Sequence, residues 1–414
     1  MNSRVSPRTL PIIASCLCMF WIGAFIFGLP GVMAPYWQNK FQVEERIVSQ
    51  TLFWILVAIG SFMFVAGRLQ ERYGPTVMVA LGTFIMGVNT IFLGWYTSII
   101  GVYAWAFSMG MASTFLYLPS LTVVQRWHPM RRGLVTGLVN LVFGISASFM
   151  SPVFNKMLAH FSPILMTAVL GALALATGFA VSPYMKFPHM SDQQFVNPTT
   201  DKAPVLGKDF SVKQSLQTKN FWLLWLTWAL AGGAGFAMVT LSTLFGLQMG
   251  LNMNSAVIIL SAFGLTNGLS RILSGYISDW MGRNITMTIS FFLAGVAYII
   301  MPHIQGVVLW SVTAACIGYG FGTLFAVSAP LATDCFGLKH FGSIFGLVFT
   351  AYGFIAGPLG PILGGYLLEY TTYGWVFGYL GVFFLISSVL IWFVKPSDYY
   401  SSIRIASGAH SRAA

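Results

Sequence analysis

The chain of 414 residues is too apolar to fold as a water-soluble globule. Hydrophobic residues make up 57% of it and charged residues only 7%, whereas soluble chains are about 25% charged. This composition excludes a soluble enzyme, a nucleic-acid-binding protein and a disulfide-linked secreted fold, and it predicts a membrane protein with many spans. The formal net charge of +11 then reflects loops that face an anionic lipid surface and does not indicate nucleic acid.

The apolar segments divide into twelve predicted spans, because a bilayer core about 30 Å thick requires about 20 apolar residues per helix. In chain order the spans cover residues 10–37, 48–66, 76–96, 99–124, 134–155, 163–184, 220–246, 255–278, 285–301, 307–333, 343–368 and 375–394. The first run is far longer than the core of a signal peptide, so we expect it to remain as a span. The predicted fold class is an all-α membrane protein with twelve transmembrane helices.

One long polar segment separates the sixth span from the seventh. It holds three prolines and five lysines, which is typical of a flexible linker. We therefore predict an N-terminal six-helix bundle at 1–184, a cytoplasmic linker at 185–219, a C-terminal six-helix bundle at 220–396 and a cytoplasmic tail at 397–414.

The lysines and arginines predict the orientation of the chain. With the N-terminus inside, seventeen of them fall in cytoplasmic segments, and Lys40, Arg46 and Lys156 fall outside. Both termini are therefore predicted to be cytoplasmic. No external Asn-x-Ser/Thr site occurs in the sequence, which favours a bacterial inner (plasma) membrane.

The two halves of the sequence repeat each other at a nearly constant offset. The stretch 67–74 closes the second span, and the similar stretch 275–283 closes the eighth span, 208 residues later (275 against 67). Pro152 in the fifth span and Pro361 in the eleventh keep a similar spacing. This period indicates duplication of a six-helix unit, so we expect two pseudo-symmetric bundles.

Short motifs carry a resemblance to a known family. The letters GRLQERYG at residues 67–74 resemble the loop signature G-x-L-x-[DE]-R-x-G of the major facilitator superfamily. Three more stretches are similar to the branch that holds monocarboxylate transporters and oxalate–formate exchangers: Tyr117 with the RWHPMRRGL run at 126–134, NFWLLW at 220–225, and NGLSR at 267–271. The resemblance covers all twelve spans and implies a transporter built from two bundles.

Arg271 is the one basic residue that the predicted spans place deep in the membrane, about 24 Å from the outer end of the eighth span by the helical rise. All ten acidic residues fall in loops or at span ends. An arginine at this depth costs at least about 2.5 kcal/mol and is a functional-site hypothesis by default. Its planar guanidinium matches a carboxylate through two hydrogen bonds. The alternative is a side chain that snorkels to the inner interface.

Asn267 lies one turn before Arg271 on the same helical face, where it could hold a substrate hydroxyl, steady the guanidinium, or form an interhelical hydrogen bond. Animal monocarboxylate transporters carry an aspartate at this position and a lysine in the first span, where this chain has Asn267 and, near the corresponding bend, Gly31. Oxalate–formate exchangers carry a second cation in the eleventh span, where this chain reads Val348-Phe349-Thr350. One positive charge suits one carboxylate, and a dicarboxylate would leave a buried charge unpaired.

Pseudo-symmetry and the family resemblance add candidates around Arg271. Tyr117 in the fourth span and Asn140 in the fifth are candidate hydrogen-bonding groups, with simple packing as the alternative for each. The candidates for an apolar wall are Leu29, Phe321, Phe325, Phe349 and Tyr352. Aromatic residues at helical spacing often only pack, but as a wall they suit a short alkyl or hydroxyalkyl tail. The substrate is therefore predicted to be small.

Two acid–base pairs beside the inner loops are candidate gating residues. They are Glu71 with Arg72, after the second span, and Asp279 with Arg283, after the eighth. Exposed pairs contribute only about 0–1 kcal/mol each, so we expect a cytoplasmic latch that can open. Glycine and proline breaks at 28–31 and 353–365 would supply mobility or, alternatively, close helix packing.

These features predict a secondary active transporter of a short monocarboxylate such as lactate or pyruvate, working by alternating access. The resemblance to the monocarboxylate branch implies proton symport. Because no carboxylate or histidine lies within the spans, exchange of one anion for another is the first alternative. A carboxylate sensor that binds without transport, which an appended signalling domain would mark, is the alternative from another class.

The sequence contains neither a phosphate-binding glycine loop nor a converging set of acids, histidines or cysteines within the spans. We therefore expect no enzymatic activity, no cofactor and no metal. We expect a monomer whose partners are the anion, a proton and the lipid bilayer.

Overall fold

The computed structural model describes residues 8–188 and 209–396, which form helices and connecting loops without a strand. The predicted tail at 397–414, together with Pro198 and Pro204 of the predicted linker, lies outside the described residues. At the end of the linker, a short helix at Val212–Leu216 leads into the seventh long helix.

Twelve membrane-length helices follow one another in the described part of the chain. They are α1 (Thr9–Phe41), α2 (45–73), α3 (75–92), α4 (Ile99–Trp127), α5 (Arg132–His160), α6 (Pro163–Val181), α7 (Lys219–Gln248), α8 (Met253–Met281), α9 (Arg283–Ile300), α10 (Val307–Phe336), α11 (Phe341–Leu368) and α12 (Tyr373–Trp392). The predicted all-α fold with twelve spans is confirmed.

The second and third helices form one apolar run, Glu45–Phe92, that is broken at Gly74. The φ angle of Gly74 is 82°, a left-handed conformation that glycine adopts at little cost. Pro75 follows at the start of α3, where a proline removes no helical hydrogen bond. The chain therefore reverses direction between two spans with almost no loop.

Polar side chains fix the first turns of several helices. Ser98 accepts a hydrogen bond from the Gly101 N–H at the start of α4, and Asn252 accepts one from the Ser255 N–H at the start of α8 (2.9 Å). Such caps satisfy backbone donors that the helix itself leaves free. These caps mark the starts of the helices, which lie close to the positions that hydropathy predicts.

The helices group into two sets of six that meet along two crossings. In the first set, α1 packs on α4 and α5, and the α2–α3 run packs on α4 and α6. In the second set, α10 packs on α8 and α9, while α12 packs on α7 and α9. Between the sets, α5 crosses α8 and α2 crosses α11. We call these crossings the α5–α8 seam and the α2–α11 seam.

Glycines allow the α5–α8 seam to pack backbone against backbone. A Cβ atom at Gly133 would overlap the carbonyl of Gly275, and a Cβ atom at Gly137 would overlap the carbonyl of Arg271. Small residues are the usual means of bringing membrane helices this close. This approach fixes the backbone of Arg271 against the opposite bundle.

The α2–α11 seam repeats the same plan. A Cβ atom at Gly67 would overlap the Gly342 carbonyl, and a Cβ atom at Gly346 would lie 2.6 Å from the Met63 carbonyl. Adding 208 to the α2 numbers and subtracting 209 from the α11 numbers converts these contacts into those of the α5–α8 seam. The internal repeat of the sequence is therefore a repeat of helix contacts.

Both regions in which breaks were predicted contain π-helical turns and remain helical. In α1 the turn covers Ala24–Gly28, slightly before the predicted bend at 28–31. In α11 two turns cover Tyr352–Ala356 and Pro358–Ile362, inside the predicted loose region. Such turns occur frequently at functional sites.

We call the face that holds the start of α1 and the ends of α4, α8 and α10 the inner face, because the charge distribution predicts it to be cytoplasmic. The opposite face is the outer face.

Candidate functional site

Six helices place a polar or aromatic side chain at the same depth. With a rise of 1.5 Å per residue, each of these side chains lies about 12–17 Å from the inner end of its helix, near the middle of a bilayer core about 30 Å thick. They are Tyr117 of α4, Asn140 of α5, Trp228 of α7, Arg271 of α8, Phe325 of α10 and Tyr352 of α11. Both bundles contribute to this layer.

The Arg271 guanidinium lies inside this layer and is 3% exposed. Nη1 donates a hydrogen bond to the backbone carbonyl of Asn140 (2.8 Å), and Nη2 donates one to Asn267 Oδ1 (3.4 Å). The guanidinium carbon also lies 4.8 Å from the ring centre of Phe325 and 5.6 Å from that of Phe143. Ring faces attract a cation that has lost its water. The side chain therefore points between the bundles and not toward the inner interface.

Arg271 has no acidic partner among residues 8–188 and 209–396. In the same part of the chain its Nε atom has no hydrogen-bond partner. A carbonyl, an amide and two ring faces offset only part of the cost of burying a charge. The site is therefore electrostatically suited to an anion.

Gly144 lets the guanidinium approach the backbone of α5. A Cβ atom at this position would lie 3.2 Å from the guanidinium carbon of Arg271, which is tighter than an ordinary van der Waals contact. A side chain on this residue would push the arginine away from α5 and weaken its bond to Asn140.

Tyr117 and Asn140 form a fixed pair beside Arg271. The Tyr117 hydroxyl donates to Asn140 Oδ1 (3.1 Å), and Asn140 Nδ2 donates to the carbonyls of Thr136 (3.0 Å) and Phe325 (3.3 Å). The side-chain amide of Asn140 is thus hydrogen-bonded within the protein, and its backbone carbonyl accepts the hydrogen bond from Arg271. Both predicted residues lie in the layer, joined through one hydrogen bond.

The structure brings together four of the five residues predicted for the wall. Phe325 contacts Phe321 (5.3 Å between ring centres), Phe349 (6.4 Å) and Tyr352 (5.6 Å). The Tyr117 ring of the opposite bundle lies 5.6 Å from Phe349. These rings form a continuous aromatic surface next to the guanidinium.

Leu29, the fifth residue predicted for the wall, is fully buried. From α1, the ring that meets the aromatic residues around Arg271 is Phe27, which lies 5.7 Å from Phe143. The π-helical turn just before Leu29 changes which side of α1 faces α5, and a regular helical count does not allow for this change.

Trp228 and Phe143 belong to the layer although the sequence did not single them out. Trp228 is fully buried, and its ring centre lies 4.4 Å from that of Phe349 and 5.1 Å from that of Phe325. It follows the tryptophan-rich stretch 220–225 by one turn, so helical spacing from Trp225 could have indicated it. Phe143 follows Asn140 at the same spacing.

Glu71 links the two bundles at the inner face. Its Oε1 accepts hydrogen bonds from the Ser343 N–H (3.2 Å) and hydroxyl (2.6 Å), and its Oε2 lies 3.0 Å from His340 Nδ1. On its own helix it approaches Arg68 (4.0 Å). The predicted pairing of Glu71 with Arg72 is wrong, because adjacent residues of a helix point in different directions.

Asp279 makes the related link at the other seam. It pairs with Arg283 (2.5 Å) as predicted, and it accepts two backbone N–H groups at the start of α5, at 3.0 and 2.8 Å. Arg132 and Asp334 form a further ion pair between the bundles at 3.1 Å. Side chains of these residues are only 5–13% exposed, so salt screens these pairs less than it would screen exposed ones. The carboxylate also faces a helix N-terminus, which favours negative charge.

A buried polar layer between two related helix bundles is the architecture of a secondary transporter. The chain belongs to the Major Facilitator Superfamily, whose family model matches residues 16–360 and 258–411. Members of this superfamily are membrane transporters.

The chain is similar to several characterised transporters. It is 25% identical over 338 residues to the oxalate:formate antiporter of Oxalobacter formigenes, covering 80% of this chain and 78% of that protein. It is 23% identical over 386 residues to monocarboxylate transporter 2 of Homo sapiens, covering 84% and 77%. The solved structure of the E. coli fucose:proton symporter FucP superimposes with a TM-score of 0.71 at 14% identity, covering 94% and 100%. That likeness concerns the fold.

Proposed function

We propose that the protein is a secondary active transporter of a short monocarboxylate, such as lactate or pyruvate, that works by alternating access. Arg271 binds the carboxylate. The observation that carries the proposal is a buried guanidinium at mid-membrane depth that has no acidic partner in the described ranges 8–188 and 209–396. A carboxylate can accept two hydrogen bonds from such a group and neutralise its charge.

The surroundings of Arg271 support one carboxylate and a small tail. Gly31 and the stretch Val348-Phe349-Thr350 stand where related carriers are expected to have a further cation, so the site offers a single positive charge. Asn267 stands where monocarboxylate transporters are expected to have an aspartate. The aromatic surface of Phe325, Phe349 and Tyr352 suits a short alkyl or hydroxyalkyl chain. Tyr117 is a further hydroxyl at the same depth. The relative named as a monocarboxylate transporter agrees with this chemistry, and the relative named as an oxalate:formate antiporter agrees with a carboxylate substrate in general.

We assign proton symport as the coupling, with the proton moving on the substrate or on water beside Arg271. Anion exchange is the second candidate, and a specific observation favours it. Within residues 8–188 and 209–396, Arg271 has no acidic partner, so a bound anion would be its counter-ion. An occupied site is neutral, whereas an empty one retains its charge. We further propose that the carrier acts as a monomer in the cell's inner membrane, with both termini cytoplasmic.

Uptake into proteoliposomes tests the function and separates the two couplings. Purified protein should accumulate labelled lactate or pyruvate, and an inwardly directed proton gradient should drive that accumulation in symport. If uptake requires an internal anion and ignores the pH gradient, the carrier is an exchanger. If none of a panel of short monocarboxylates is taken up, the proposed substrate class is wrong.

Variants of Arg271 test the site itself. Arg271→Gln should lower lactate affinity by at least about tenfold, because a hydrogen bond to a charged group contributes about 1.5–3 kcal/mol. Arg271→Lys keeps the charge but loses the planar fork, so transport should also fall strongly. Arg131→Gln, which changes an exposed arginine in the loop before α5, is the control and should transport normally. Normal uptake by Arg271→Gln would remove the proposed site.

A further inference from the structure

Three buried hydroxyl groups lie directly inward of the Arg271 layer. Thr136 of α5, Ser274 of α8 and Ser328 of α10 are all fully buried, and within the described chain their hydroxyl oxygens have no hydrogen-bond partner. Serine and threonine in helices commonly bond to a carbonyl of the preceding turn. In this protein Ser120 does so, through the Leu116 carbonyl (2.7 Å). The other hydroxyls without a partner in the described residues, Thr83, Ser242 and Ser311, lie away from this region on α3, on α7 and at the outer end of α10.

Each of the three hydroxyl groups lies one helical turn closer to the inner face than a residue of the site. Thr136 precedes Asn140 on α5, Ser274 follows Arg271 on α8, and Ser328 follows Phe325 on α10. Three- and four-residue spacings keep side chains on the same face of a helix. The hydroxyls therefore continue the polar lining of the site inward.

Contacts between α5 and α10 lie on both sides of Thr136 along α5, one toward the inner face and one toward the site. Nearer the inner face, Arg132 pairs with Asp334. Nearer the site, Asn140 donates to the Phe325 carbonyl. Thr136 lies midway between Arg132 and Asn140 on the same face of α5, opposite the stretch of α10 that holds Ser328. The latch at the inner face closes over this stretch.

Three positions that are polar at the α5–α8 seam correspond to apolar residues at the α2–α11 seam, whereas the counterpart of Ser328 is Ser120, whose hydroxyl bonds the Leu116 carbonyl. The offsets of 208 and 209 relate Arg271 to Met63, Ser274 to Ala66, and Thr136 to Phe345. These three apolar residues are all buried. Equivalent backbone positions therefore carry polar groups at one seam and hydrocarbon at the other.

We propose that Thr136, Ser274 and Ser328 form an inner anion site. This site receives the hydrated carboxylate when the inner face opens and the carboxylate leaves Arg271. The proposal rests on the proposed transport of a carboxylate. Buried hydroxyls without partners destabilise the closed inner face. When α5 separates from α8 and α10, these hydroxyls can donate hydrogen bonds to water and to carboxylate oxygens. Release then follows the α5–α8 seam, because at the other seam the counterparts of Thr136 and Ser274 are apolar and the hydroxyl of Ser120 already bonds the Leu116 carbonyl.

The test is a triple variant, Thr136→Val, Ser274→Ala and Ser328→Ala, compared with wild type for two properties. Lactate binding in detergent should change by less than about twofold, since the three hydroxyls do not contact Arg271 when the inner face is closed. Lactate counterflow in proteoliposomes should slow by about tenfold, because the open state loses three hydrogen-bond donors. Counterflow at the wild-type rate overturns the inner site and leaves the assignment of Arg271 intact.

The control variant is Ser120→Ala, which removes the hydroxyl at the position related to Ser328 by the repeat and should leave counterflow unchanged. A loss of lactate binding in the triple variant as large as that of Arg271→Gln would also overturn the proposal, because the hydroxyls would then belong to the first site. If the triple variant does not fold, Ser274→Cys in protein without its native cysteines replaces it. Internal lactate should protect the introduced thiol from a charged thiol reagent, and absence of protection overturns the inner site.

Discussion

The α5–α8 seam and the α2–α11 seam share one backbone plan and bury different chemistry. Each crosses at glycines, and at each an acidic side chain from one bundle accepts N–H groups at the start of a helix in the other. At the centre of the first seam lies Arg271, and at the related position of the second lies Met63. Duplication therefore supplies the packing and the acidic contact between the bundles twice, whereas a buried guanidinium occurs at one seam.

The largest expected effect comes from breaking the glycine crossings. Gly137→Ala and Gly346→Ala should each open the inner face, because the new Cβ would press on a carbonyl of the opposite bundle. Overpacking costs about 1–3 kcal/mol, so opening should increase by about 5- to 150-fold. The measurement is labelling of a thiol at Thr333→Cys, in protein without its native cysteines, because the native hydroxyl bonds Gln125 of the other bundle.

Gly264→Ala is the matched control for the glycine variants, since a Cβ at this position of α8 meets no atom within 4 Å. It should leave labelling unchanged. Opening by one crossing variant and not by the other would show that the seams are mechanically unequal, contrary to the shared plan.

A smaller difference is expected between the two latch acids. Asp279→Asn should raise thiol labelling about tenfold, because both carboxylate oxygens accept bonds from α5 and one also pairs with Arg283. Glu71→Gln should raise it only about threefold, since the amide oxygen can still accept the bonds of Ser343. A larger effect at Glu71 would reverse this ranking.

The smallest expected effect concerns Gly144, which faces the guanidinium. Gly144→Ala should raise the lactate KM about threefold by displacing Arg271, a flexible group that can give way at a cost of about 1 kcal/mol. Thiol labelling at the inner face should rise less than in the glycine-crossing variants, because the Arg271–Asn140 hydrogen bond is one of several contacts between the bundles. The related Gly353 faces the backbone of Gly60, so Gly353→Ala should open the inner face with little change in KM. Equal behaviour of the two variants would contradict the division between binding and packing.

The sequence predicted most of the fold because spans and repeats are local or periodic signals. Hydropathy located all twelve helices, and the offset of 208 residues indicated two related six-helix units. The scarcity of charge singled out Arg271, whose depth follows from its position in α8. A residue count places Tyr117 and Phe325 at the same level, so their presence in the layer was also accessible.

Contacts between residues that lie far apart in the chain could not be predicted from the sequence. The Asn140 carbonyl meets Arg271 only because Gly137 and Gly144 let α8 approach α5 closely. Glu71 pairs with His340, 269 residues away, and not with its neighbour Arg72. The π-helical turn of α1 contains Phe27, whose ring lies 5.7 Å from that of Phe143. Each of these features depends on how helices dock, and no local pattern reports it.

The hydrogen bond from Arg271 Nη1 to the Asn140 carbonyl joins one bundle to the other. A carboxylate that binds the guanidinium through two nitrogens, one of them Nη1, competes with this hydrogen bond. Binding of the anion would then weaken a contact between the two bundles at the same time. Affinity for the substrate and the change to the open state would therefore depend on the same hydrogen-bond donor.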